Sequence, residues 1–66
     1  MTVKYPHITV ELVGTVGNAI SILAKVRRAL VNNNVSQEEI DLFTQDATSD
    51  DYNHLLYICM QTVHVY

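Results

Sequence analysis

The sequence predicts an α+β domain of order β-α-α-α-β, in which a two-stranded sheet made from the two chain ends is covered on one face by three helices. Three observations predict it. Alternating apolar and polar residues open the chain, three segments with helical apolar spacing fill its middle, and the β-branched alternation Thr62-Val63-His64-Val65-Tyr66 closes it. The whole chain, residues 1–66, reads as one small domain.

The first strand is expected over Val3 to Val13. Ile8, Val10 and Leu12 alternate with His7, Thr9 and Glu11, the period of a half-buried strand. Pro6 lacks an amide donor, so regular pairing is expected to begin after it, or Pro6 is expected on an open edge. Gly14–Gly17 then turns the chain, and Asn18 is the expected N-cap of the next helix.

That first helix is expected from about Ala19 to Val31. Ala19, Ile22, Leu23, Val26, Ala29 and Leu30 share one broad face, while Ile20, Ala24 and Val31 add apolar area beside it. A helix this apolar is expected to be central and packed on more than one side. Asn32-Asn33-Asn34 ends it, because Asn tolerates the left-handed turn after a helix.

The second helix has the clearest start. Ser36 and Glu39 match a capping box, and Val35 and Ile40 occupy the two positions of a hydrophobic staple. It is expected to end near Ala47, with Ile40, Phe43 and Ala47 inward and Glu38, Asp41 and Gln45 in water. Leu42 lies off the inner stripe. Thr48 or Ser49 is expected to start the third helix, placing Asp50 and Asp51 in its first turn, where negative charge suits the helix dipole. Its inner face is expected to hold Tyr52, Leu55, Leu56, Cys59, Met60 and Val63. Parallel and antiparallel pairing of the terminal strands both fit the sequence.

Composition narrows the function classes. A 48 % hydrophobic content belongs to a folded chain, and a net charge of −3, from four Lys+Arg against seven Asp+Glu, disfavours nonspecific nucleic-acid binding by the whole surface. The single Cys59 forms no internal disulfide, which fits a reducing, cytoplasmic setting. No apolar run reaches the length of a membrane span, so no membrane partner is expected.

Gly17-Asn18-Ala19 opens a helix that continues through Val26 and Ala29-Leu30. Phe43, Ala47, Tyr52, Leu55-Leu56, Met60 and the closing Val63-x-Val65 follow. Over about Gly14 to Val65 this pattern resembles a family of small uncharacterised proteins from bacteria and their phages. The resemblance implies a bacterial or phage origin and a domain complete at this length. It carries over no activity and no functional residues. Members often have an acidic residue before the Gly-Asn pair, where this chain has Val16.

No motif indicates an enzyme or a cofactor. The Gly14–Asn18 turn precedes a helix N-terminus, as an anion site would, but it lacks the Lys-Ser/Thr pair of a phosphate loop and the three-glycine dinucleotide fingerprint. A tight turn with a cap is the simpler reading. His7, His64 and Glu11 share the outward strand face, where a suitable register would give a metal two nitrogens and an oxygen. Surface or hydrogen-bonded histidines are the simpler reading. Cys59, on an inner helix face, reads as a packing residue rather than a nucleophile.

The favoured reading is a non-enzymatic protein-interaction domain that binds an unidentified protein or forms a homo-oligomer through its strands. Open edges and the uncovered sheet face supply the surface, with Thr9, Glu11, His64, Val65 and Tyr66 as candidate contact residues. Charge or proline at Thr9 or Val65 is expected to weaken association. The alternative is a nucleic-acid-associated accessory or regulatory protein using Lys25, Arg27 and Arg28, the only basic cluster. The third helix is no recognition helix, for it carries Asp50 and Asp51 in its expected first turn and no Lys or Arg.

Overall fold

The computed structural model describes residues 3–12 and 18–66. The elements are β1 (Tyr5–Val10), α1 (Ala19–Asn32), α2 (Gln37–Ala47), α3 (Tyr52–Thr62) and β2 (Val63–Val65). The order is β-α-α-α-β, and the two strands pair in parallel. Thr9 pairs with His64 and Val10 with Val65. Between Tyr5 and Thr9 the register is irregular, which accommodates Pro6 inside a strand that it cannot help to bond. Pairing extends past both strands. Tyr66 N–H donates to the Val10 carbonyl at 3.0 Å, and Leu12 N–H donates to the Tyr66 carbonyl at 2.6 Å. Val13 and the turn Gly14–Gly17 lie outside the described residues.

The alternation expected in β1 is present from Ile8 onward. Ile8 and Val10 are buried, Leu12 is half-buried, and His7, Thr9 and Glu11 are exposed. The core joins these strand residues and Val63 to Ile22, Val26 and Leu30 of α1, Ile40, Phe43 and Ala47 of α2, and Leu55 and Cys59 of α3. α1 packs against β1 and α3 against β2, while α2 packs against both other helices.

Asn18 caps α1 by accepting a hydrogen bond from Ile20 N–H at 2.9 Å. Asn33 is its C-cap, and Asn34 takes the left-handed conformation with φ 63°. α1 buries a single line, Ile22-Val26-Leu30. It is not enclosed as expected: Ile20 is 78 % exposed and Val31 56 %, and Ala24 is exposed too. β1 and the other two helices all meet its one buried face. Nothing among the described residues covers the opposite side.

Ser36 caps α2 by accepting from Glu39 N–H at 3.3 Å. The reciprocal half of the capping box is replaced, because the Glu39 carboxylate accepts from Lys4 Nζ at 2.6 Å. This ion pair ties the start of β1 to the start of α2. The Lys4 side chain is 56 % exposed and that of Glu39 40 %, so solvent screens the pair and its contribution falls in the range of about 0–1 kcal/mol.

α3 starts later than the sequence suggests. Asp51 is the N-cap itself, accepting from His54 N–H at 2.9 Å. Thr48 and Ser49 serve the preceding helix, their hydroxyls donating to the carbonyls of Thr44 and Asp46, each at 2.7 Å. The buried line of α3 is Leu55, Cys59 and Thr62. Tyr52 and Met60, expected inward, are exposed. Thr62 ends the helix rather than opening the strand, its hydroxyl donating to the Ile58 carbonyl at 2.7 Å.

Candidate protein-contact surface

Among the described residues, the sheet has one face covered by helices and one open face. Helices meet the side of Ile8, Val10, Val63 and the half-buried Val65. The opposite side carries His7, Thr9, His64 and Tyr66, all exposed, with Glu11 just past the end of β1. Register explains the grouping. Thr9 and His64 are partners, so their side chains leave the same face. Tyr66 follows two residues after His64 and is 57 % exposed. Val65 differs from the other candidate contacts, since its side chain packs against the core.

The ladder also decides which backbone groups are left over. In a parallel pair, alternate residues turn their N–H and C=O to the partner strand. Val10 does so in β1, Leu12 just past its end, and Tyr66 beyond β2. The backbone groups of Thr9, Glu11 and Val65 therefore face the outer edges. One of them is occupied, for Lys25 Nζ donates to the Glu11 carbonyl at 3.2 Å.

This bond joins the two candidate regions that the sequence keeps apart. Lys25 and Arg28, one turn apart on α1, lie beside Thr9 and Glu11. Between the strand and the helix runs a shallow groove of about 290 Å³, with Val10, Ala29 and Asn32 completing its walls. Arg28 also borders a second groove between α1 and α2, which it shares with Arg27 and Val31. The three basic side chains thus flank β1's open edge and the neighbouring helix surface; they do not converge on one point.

The His7 ring meets Tyr5 edge-on, with centroids 6.4 Å apart. Among the described residues no three His, Cys, Asp or Glu side chains are grouped to hold a metal ion. His54 had no assigned role in the sequence and proves structural. Its Nε2 is 2.9 Å from the Asp46 carbonyl oxygen, 3.2 Å from Ser49 Oγ and 3.6 Å from Asp46 Oδ1. Ser, His and Asp are therefore close together. A nucleophile relay needs the serine on one ring nitrogen and the carboxylate on the other. Here one nitrogen faces all three groups, and the Ser49 hydroxyl donates to the Asp46 carbonyl. The arrangement fastens the start of α3 to the end of α2. Cys59 is fully buried, and that burial pushes its thiol up to about 11, leaving it protonated and unreactive at neutral pH.

No helix among the described residues is long and apolar enough to cross a membrane. Compared with family models, with curated proteins and with solved structures, the chain matches none.

Proposed function

We propose that the protein is a small non-enzymatic interaction domain that self-associates through its strands. The observation that carries this reading is the sheet's uncovered face, where Thr9, His64 and Tyr66 stand exposed beside one another. A two-stranded sheet is a marginal structure alone and gains from burial of its second face. A short chain gains more than a long one, since it buries a smaller share of its surface on folding. The exposed Tyr66 supplies aromatic area of the kind enriched at protein interfaces.

Face-to-face contact suits the architecture better than edge-to-edge contact. Helices pack about 8–10 Å apart and strands about 4.8 Å apart. With α1 packed against β1 and α3 against β2, these spacings favour stacking of the open faces, which brings no helix of one copy toward a helix of the other.

Sedimentation equilibrium over a concentration series tests the reading. A dimer is expected, and Tyr66→Glu is expected to shift it toward monomer. A monomeric mass maintained up to roughly 1 mM, which limits the association free energy to about 4 kcal/mol, removes self-association.

A further inference from the structure

We propose that the open edge of β1 and the basic side of α1 form a docking groove for an extended acidic peptide segment, which adds to the sheet as a third strand. The inference rests on reading the sheet as a contact surface, and adds a second site with a partner of different chemistry. Three observations meet at the groove. Thr9 presents both backbone groups to the edge, and Glu11 presents its N–H, because the β1–β2 ladder uses the intervening residues. The small Ala29 forms part of the floor, leaving room beside the strand. Lys25 and Arg28 border the space on the helix side.

An added strand lies about 4.8 Å from β1, with alternate side chains turned toward the helices. Those side chains meet Arg28 and Lys25, so carboxylates fit at every second position. Main-chain bonds supply strand addition, and the charged shelf supplies the preference. A second copy presenting its own β1 edge is disfavoured, because it brings another Lys25 and Arg28, like charge against like. Nucleic acid offers phosphates to Arg28 but no strand backbone to pair with the Thr9 and Glu11 backbone groups.

The probe is a capped peptide of alternating Glu and Val, titrated into the protein and followed by backbone amide shifts. Shifts are expected at Thr9, Glu11 and Arg28. The Lys-Val counterpart is expected to bind on the order of tenfold or more weaker, and Arg28→Glu to lower affinity for the Glu-Val peptide by a similar factor. N-methylating every second peptide residue is expected to abolish binding in one register and spare it in the other, since only one set of N–H groups faces β1. This control needs no change to the protein. Thr9→Pro removes an N–H that the β1–β2 ladder does not use, so it is expected to abolish binding while retaining the circular dichroism of the fold. Equal binding of the Glu-Val and Lys-Val peptides overturns the proposal. So does equal tolerance of both methylation registers, displacement of the peptide by oligothymidylate of the same charge at equal concentration, or the absence of shifts up to roughly 1 mM peptide. The sedimentation experiment stands apart. A monomer that takes the peptide defeats only self-association, and a dimer that ignores it defeats only this groove.

Discussion

Lys25 reaches from α1 to the carbonyl of Glu11 and occupies a hydrogen-bond acceptor at the open edge of β1. A lysine at a strand edge limits uncontrolled pairing, because another strand arriving there must displace or accommodate a charge. The bond is exposed and contributes little to stability. Lys25→Ala is therefore expected to change the unfolding free energy by no more than about 0.5 kcal/mol. Urea denaturation checks it. A loss of several kcal/mol would mean that Lys25 holds the strand against the helix rather than covering its edge.

The two sides of α1 are expected to respond very differently to substitution. Leu30 is fully buried, whereas Ile20 stands mostly in solvent. Leu30→Ala is expected to cost about 2–5 kcal/mol, through lost burial and the cavity left behind. That is a large fraction of the few kcal/mol that stabilise a domain of this size. Ile20→Lys is expected to stay within about 0.5 kcal/mol of the parent. Thermal unfolding of both variants tests the contrast, and a destabilised Ile20→Lys protein would show that this side of α1 is covered.

The architecture was legible wherever polar residues marked a boundary or a face. Asn18, Ser36 and the Asn32–Asn34 run located the helix ends because each supplies a specific backbone partner or conformation. The second helix showed its buried side because Glu38, Asp41 and Gln45 mark the other one. α1 was harder, since apolar residues surround most of it and nothing in the sequence says how many elements reach it. α3 carries no Asp, Glu, Lys or Arg between Tyr52 and Thr62, so no charge marks its outer side, and spacing alone puts Tyr52 and Met60 on the inner face. Its start is ambiguous in the sequence for another reason. Thr48 and Ser49 can serve the helix before them or the one after, and a hydroxyl's identity does not give its direction. The proposed contact surface is legible as a set of outward strand residues. Its adjacency to Lys25 and Arg28 is not, because that depends on where α1 lies beneath β1.

The N-caps provide a test of the revised helix starts. Asp51→Ala is expected to lose about 1 kcal/mol, while Asp50→Ala, one residue outside the cap, is expected to lose much less. For a domain of this length, about 1 kcal/mol corresponds to a drop in Tm of about 4–8 °C. If Asp50→Ala proved the more damaging of the two, α3 would start one residue earlier than Tyr52. Asn18→Ala is expected to resemble Asp51→Ala, since its side chain likewise accepts from a first-turn N–H.

Burial of Cys59 gives the fold a dependence on alkaline pH. The thiol ionises at about 11 in the folded protein, against an ordinary value of 9.0, because the interior disfavours the thiolate. Below pH 9.0 the thiol is protonated in both states, and its contribution is fully present. Between 9.0 and about 11 the unfolded chain gives up the proton while the folded chain keeps it. The unfolded state then binds fewer protons, so stability falls as pH rises, at most about 1.4 kcal/mol per pH unit from this group. Cys59→Ala removes that slope while lowering stability at neutral pH through lost packing. The expected observation is a difference in unfolding free energy between parent and variant that is constant below pH 9.0 and narrows above it. Alkylation by iodoacetamide at neutral pH provides an independent check, because a buried, protonated thiol reacts only when the structure opens. Labelling is therefore expected to be slow in buffer and fast in denaturant, and fast labelling of the folded protein would place Cys59 outside the core.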